Sequence, residues 1–144
     1  MGPDRDPAYA RLLAQSFARL TGTPLGNPWA RPDPIVSHGV EADPIFRWAN
    51  PAALALWEMD WETFTRLPSR QSAADTADVQ ADRSRLLAEA REKGWVSGYR
   101  GIRVSATGRR FAINDTVLWT VPDADGVIHG QAALLRRAVP LDSH

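Results

Sequence analysis

His38 is the side chain of this sequence best suited to acid–base chemistry. It is the only histidine inside a predicted core element, where it follows Ser37 on a short predicted strand. An imidazole there can change charge near neutral pH, and it can bond to a carboxylate or to a ligand. The alternative is a buried, neutral ring that is hydrogen-bonded to backbone. No two histidines have the spacing of a metal site, so a metal centre is not expected.

Asp115 could supply a partner carboxylate for such a histidine. Counting by twos along its predicted strand places Asp115 on the apolar face. The other members of that face are Phe111, Ile113, Val117, Trp119 and Val121. A lone buried carboxylate costs several kcal/mol, so either a partner meets Asp115 or a bulge turns it outward. If His38 is a general base and Asp115 its orienting or acid partner, the protein is an enzyme that acts on a small substrate.

Arginine is the third group with chemical potential, since all but one of the 17 basic residues are arginine. Arg103, Arg109 and Arg110 flank one predicted hairpin, and Arg70 ends the segment LPSR. Guanidinium groups can hold a carboxylate or a phosphate through two parallel hydrogen bonds. The alternative is a solvated hairpin edge whose charges block sheet pairing. Arg70 is the preferred inward-pointing candidate, because it follows the helix-stopping Pro68.

Aromatic residues are frequent, with six tryptophans in 144 residues. Such a set forms either a packed core or the wall of an apolar pocket with a few polar anchors. We expect a cavity of roughly 300 Å³ or more between a sheet and the helices of residues 50–67. The rings expected to line it are those of Phe46, Trp57, Phe111 and Trp119. A flavin or another aromatic small molecule could occupy it, and a core without a ligand is the remaining alternative.

The elements that must position these residues begin with an amphipathic helix between Asp6 and Gly22. Its apolar stripe is Tyr9, Leu12, Leu13, Phe17 and Leu20. A proline-rich connection leads to a first strand at residues 35–38. A second strand at residues 45–49 ends at Asn50, which can cap a helix that has Pro51 at its first position.

The second half of the chain predicts one long helix followed by strands. The helix ends at Gly94, and we assign Asp82, Arg83 and Arg85 to its outer side. The period then changes from about 3.6 to 2, which predicts strands at residues 96–105, 110–121 and 127–136. Two strands, a set of helices and three strands predict an α+β fold. Its sheet is five-stranded and antiparallel, with helices over one face.

One segment carries a family resemblance. The pattern SHG, EADPIF, AN, LWEM and LPSR between Ser37 and Arg70 resembles the bacterial stand-alone MEKHLA family, which is related to PAS domains and also occurs at the C-terminus of plant class III homeodomain-leucine zipper proteins. The resemblance covers about residues 8–136, although the literal string Met-Glu-Lys-His-Leu-Ala is absent. It implies a PAS-like sheet and, by analogy, ligand sensing without a characterised reaction. The long helix lacks the axial histidine of PAS haem proteins, so haem is not expected.

The composition excludes several classes of function. The 17 basic and 17 acidic residues balance, so no overall field favours nucleic acid or an anionic membrane. The chain has no cysteine, which excludes disulfides, thiolate metal sites and a cysteinyl flavin adduct. No apolar run is long enough to span a membrane, and we expect a soluble cytoplasmic protein.

These observations predict one PAS-like domain at residues 35–137, preceded by the helix and connection of residues 1–34 and followed by a tail at 138–144. The predicted function is a sensor or interaction module for a small ligand. No output domain is recognisable, so a signal is expected to pass in trans through a homodimer built on the N-terminal helix. The alternatives are the His38/Asp115 enzyme and a ligand-free dimerisation module. The predicted ligand-binding residues are Ser37, His38, Phe46, Trp57, Arg70, Phe111, Asp115 and Trp119.

Overall fold

A computed structural model describes residues 2–141 and shows a five-stranded antiparallel sheet with helices on both faces. The strand order is β2-β1-β5-β4-β3. The strands are β1 (Ile35–His38), β2 (Phe46–Ala49), β3 (Trp95–Val104), β4 (Arg110–Pro122) and β5 (Ile128–Pro140). The helices are α1 (Pro7–Thr21), α2 (Pro51–Trp57), α3 (Trp61–Phe64) and α4 (Ala77–Lys93), with a short 3-10 turn at Ser69–Ser72. The predicted α+β fold is confirmed.

Asn50 fixes the junction between β2 and α2. Its side-chain oxygen accepts hydrogen bonds from the backbone nitrogens of Ala53 and Ile35, each at 3.0 Å. Its amide nitrogen donates to the carbonyl oxygens of Pro28 at 3.1 Å and Asp33 at 2.8 Å. The fully buried side chain therefore caps the helix and ties down the proline-rich connection at the same time.

The two faces of the sheet carry separate hydrophobic clusters. On one face α1 packs through Tyr9, Leu13 and Phe17 against Trp48 and Trp119. On the other face α2, α3 and α4 cover a cluster that includes Phe46, Trp57, Phe64, Phe111, Ile113 and Leu118. The stripe of α1 thus covers its own sheet. The apolar residues on which the predicted homodimer was to be built are therefore already packed within one chain.

Asp115 inverts the alternation of β4. Its φ of 51° is in the left-handed region, which a non-glycine residue rarely adopts. Before it, Phe111 and Ile113 belong to the cluster under α2–α4; after it, Val117 and Trp119 belong to the cluster under α1. The Asp115 side chain is exposed. The prediction that Asp115 faces inward is therefore wrong, because a local change of backbone conformation turns it to solvent.

The boundaries of the sheet differ slightly from those predicted. β5 continues to Pro140, so the predicted tail of residues 138–144 begins inside a strand. Residues 142–144 of that tail lie outside the described residues. Between residues 2 and 141, no helix is long and apolar enough to cross a membrane.

Candidate functional site

A small cavity lies between the sheet and the helices α2–α4. It measures about 50 Å³, which is room for roughly three to five water molecules. Its apolar lining includes Val36, Phe46, Trp57, Leu87, Ile113, Leu118 and Leu135. Its polar lining includes His38, Ser69, Ser72, Arg83, Tyr99, Arg103 and Gln131.

The predicted cavity of 300 Å³ is wrong, because the aromatic residues pack against one another. The rings of Phe46 and Phe64 stack with centroids 4.2 Å apart. Trp57 meets Phe111 edge to face at 5.2 Å. Most of the rings thus form core, and only Phe46 and Trp57 of the predicted ring set line the remaining space.

His38 reaches the cavity from the end of β1. Its side chain is 8% exposed, and its Nδ1 lies 2.9 Å from the carbonyl oxygen of Gly39. A carbonyl only accepts, so Nδ1 carries the hydrogen and Nε2 of the neutral ring is an acceptor. Nε2 is buried and has no hydrogen-bond partner in the described part of the chain. Burial lowers the pKa of His38 below its ordinary value, the effect of the Gly39 bond being smaller and opposite, and the ring is neutral at pH 7.

Two arginines and their partners form the polar wall of the cavity. Arg83 of α4 is 9% exposed, and its Nη2 donates to the hydroxyl of Ser69. Arg103 of β3 is 7% exposed; it donates to the hydroxyl of Tyr99 and, at 3.1 Å, to the carbonyl oxygen of Ile102. The guanidinium of Arg103 turns back over Gly101, where an added Cβ would come within 2.9 Å of Nη1. Gly101 thus leaves the space that Arg103 needs to reach Tyr99.

Besides Asp115, two of the predicted site residues lie away from the cavity. Trp119 is on the α1 face, 5.0 Å from the ring of Phe17, and its Nε1 donates to Ser16 at 3.0 Å. Arg70 is 53% exposed and pairs with Asp43 at 3.1 Å. The placement of Trp119 and Arg70 in the cavity is therefore wrong. Trp119 follows the inversion at Asp115, and Arg70 lies on the outer side of the 3-10 turn.

The remaining predicted residues are divided between the cavity and its surroundings. Ser37 is at the cavity wall, but its hydroxyl is bonded to that of Tyr9 on the α1 side at 2.7 Å. Phe111 does not line the cavity; its ring packs edge to face against that of Trp57, which does. No hydrogen bond joins buried His38 to exposed Asp115 in the described residues, so the structure does not form the acid–base pair of the enzyme hypothesis.

Arg83 and Tyr99 are cavity residues that the sequence analysis did not identify. Arg83 was placed on the outer side of its helix because of its charge. Its spacing gives a different signal, since it lies four residues after Val79 and four before Leu87, both half-buried. Residues four apart share a helix face. The spacing of Val79, Arg83 and Leu87 therefore indicates that Arg83 points inward, although arginine is usually exposed.

The architecture defines the class of protein. It resembles a PAS domain from Colwellia psychrerythraea with a TM-score of 0.64 and 12% identity, covering 81% of this chain and 92% of that one. It also resembles a fungal LOV domain photoreceptor with a TM-score of 0.64 and 15% identity, covering 94% and 98% of the two chains. A third similar structure is an RNA-binding light-oxygen-voltage receptor, with a TM-score of 0.62, 19% identity and coverage of 99% and 36%. The fold is therefore of the PAS/LOV type.

The MEKHLA domain profile matches residues 8–138, and the chain belongs to that family. The resemblance to the MEKHLA domain is thus confirmed, whereas a bacterial, stand-alone form of it stays a prediction. No curated protein sequence matches the chain at a significant level.

Neither a flavin nor a metal is suited to the site as it stands. The cavity of about 50 Å³ is too small for the fused rings of a flavin, and the chain has no cysteine to form an adduct. Among residues 2–141, no group of three or more His, Asp or Glu side chains is arranged to hold a metal ion.

Proposed function

We propose that this protein is a PAS-like sensor module that binds a small ligand in the cavity between the sheet and α2–α4. The observation that carries this proposal is a cavity whose lining includes the buried side chains of His38, Arg83 and Arg103. Polar groups in a purely structural core are hydrogen-bonded, as Asn50 is, because each unpaired one costs free energy. Polar side chains with unused hydrogen-bonding capacity are expected where a ligand completes the core.

Filling the cavity tests this function. Ala133 of β5 lines the cavity, and Ala133→Leu should occupy the space a ligand needs. Ala55→Leu is the matched control, because Ala55 is exposed on α2. Native mass spectrometry of freshly purified protein should show a bound small molecule in the parent and in Ala55→Leu, and none in Ala133→Leu.

A ligand-free dimerisation module would give the opposite outcome. The parent would then carry no small molecule, no compound of a metabolite collection would raise its melting temperature, and Ala133→Leu would be as stable as the parent or more stable. That set of results rules out the sensor function.

We further propose that the module acts in trans in the cytoplasm. The described residues form a single PAS-like domain, and we expect a ligand-dependent change in it to be passed on through an exposed surface. A homodimer remains a proposal, but its contact would have to use exposed positions, because the apolar stripe of α1 is covered by the sheet. One of the similar structures is described as RNA-binding, but the balanced charge of this chain gives no reason to extend that property here.

Crosslinking tests the proposed partner. Purified protein and cell extract should both be crosslinked, with and without the molecule identified by mass spectrometry. A partner or second copy whose yield changes with that molecule supports signalling in trans, and a yield that does not change contradicts it.

A further inference from the structure

The buried side chains of Arg83 and Arg103 place two positive charges at the wall of one cavity, and the described residues do not balance them. Within residues 2–141, neither guanidinium forms a salt bridge with a carboxylate. The nearby carboxylate of Asp43 is about half exposed and is paired with Arg70. Buried ions are normally paired, because desolvation costs several kcal/mol for each one.

Both arginines also have unused donors. The only hydrogen bond of Arg83 is to Ser69, and Arg103 has only its bonds to Tyr99 and Ile102 among the described residues. A guanidinium has more N–H groups than these bonds use. Burial lowers the pKa of Arg83, and repulsion from Arg103 lowers it further, by a smaller amount. An anion between the two guanidinium groups would offset this repulsion.

The other lining residues restrict what the anion can be. The walls beside the arginine cluster are apolar, with Val36, Leu118 and Leu135 among them. A fully polar ion such as phosphate would leave oxygen atoms against these side chains without partners. A carboxylate with a short hydrocarbon part can bond to the arginines through its oxygens and contact the apolar walls through its carbon atoms.

His38 adds a requirement for a donor. Its Nε2 accepts hydrogen bonds in the neutral ring and has no partner in the described part of the chain. A hydroxyl group next to the carboxylate can donate to it. The volume of about 50 Å³ limits the molecule to roughly three to six heavy atoms, on the scale of a few waters.

We propose that the cavity binds a short-chain hydroxycarboxylate, with the carboxylate held by Arg83 and Arg103 and the hydroxyl donating to His38. This inference rests on the proposed ligand-binding function and specifies its ligand class. It makes the two arginines binding residues whose charge is balanced only in the complex.

The test is calorimetric titration of the purified protein after exchange into a chloride buffer. The probes are glycolate, lactate, acetate, propionate and inorganic phosphate, at equal ionic strength. Glycolate or lactate should bind saturably and more tightly than acetate or propionate, and phosphate should not bind. Equal binding of all anions, or binding of phosphate alone, overturns the assignment.

Matched arginine variants locate the site. Arg103→Gln should weaken hydroxycarboxylate binding about tenfold or more, because a charged hydrogen bond is lost. Arg100→Gln on the same strand should bind as the parent does, because Arg100 is exposed. Arg83→Gln and exposed Arg85→Gln form the corresponding pair on α4.

A second readout separates binding from structure. Without ligand, Arg103→Gln should melt at the parent's temperature or above, because an unbalanced buried charge has been removed. A lowered melting temperature together with unchanged binding would show that Arg103 has a structural role, and would overturn the proposal.

The sensor function and the ligand class fail in different ways. If native mass spectrometry finds a neutral or cationic molecule that Ala133→Leu excludes, the sensor function holds and the hydroxycarboxylate is wrong. If no molecule binds and the cavity-filling variant behaves as the parent does, both are wrong.

Discussion

The neutral state of His38 makes the stability of the protein depend on pH. Burial lowers the pKa of His38 in the folded state, whereas in the unfolded chain it returns to about 6.5. The unfolded state therefore binds the proton first, and the free energy of unfolding falls as the pH drops below about 6.5 towards the folded pKa. One proton gives a slope of at most about 1.4 kcal/mol per pH unit.

The variant His38→Asn should flatten this part of the pH profile, because an amide does not titrate and can still donate to Gly39. Urea unfolding between pH 7.5 and 5 measures the slope; the buffers should contain neither carboxylate nor phosphate. If parent and variant have the same slope over this range, His38 is not the group responsible.

Asn50 should be among the most sensitive polar positions in the chain. Asn50→Ala removes the helix cap and leaves the carbonyl oxygens of Pro28 and Asp33 without their donor. We expect a loss of about 2–4 kcal/mol in the free energy of unfolding. Asp60→Ala, which removes the exposed cap of α3, should cost about 1 kcal/mol. Chemical denaturation of both variants tests this, and equal losses would contradict the dual role of Asn50.

At the scale of elements, α1 should behave as part of the monomer core. Leu13→Glu places a charge against the sheet and should destabilise the fold by about 3 kcal/mol or more. Gln15→Glu introduces the same charge on the exposed side of the helix and should change stability by less than about 0.5 kcal/mol. Circular dichroism melting with size-exclusion chromatography makes the comparison. A folded, monomeric Leu13→Glu variant would show instead that the stripe serves a contact between chains.

The sequence predicted those elements whose ends are set by local chemistry. Asn50-Pro51 specified the passage from strand to helix, and the glycines after α1 and α4 specified where those helices end. The side-chain directions in β4 were not predictable in this way. Asp115 has a positive φ, which a strand pattern does not predict, and counting by twos across it sends Trp119 to the wrong face.

The candidate site was predicted less completely than the fold. His38, Phe46 and Trp57 reach the cavity because their predicted positions on the elements were correct. Arg70 was predicted to point inward and is exposed, whereas Arg83 was predicted to be exposed and is buried. Residue type alone does not show which arginine of a chain will be buried. Arg103 was among the arginines considered for holding a carboxylate or a phosphate. That its side chain is buried became visible only when the structure placed β3 beside α4.

At the scale of the whole molecule, the inversion at Asp115 bears on how the protein unfolds. One strand supplies Ile113 and Leu118 to the cluster beneath α2–α4 and Val117 and Trp119 to the cluster beneath α1. Neither cluster can lose its packing without disturbing β4, which also supplies side chains to the other cluster. We therefore expect a single cooperative transition, with coincident loss of tryptophan fluorescence and backbone ellipticity in urea. Slow amide exchange should likewise extend along both halves of β4 rather than stopping at residue 115.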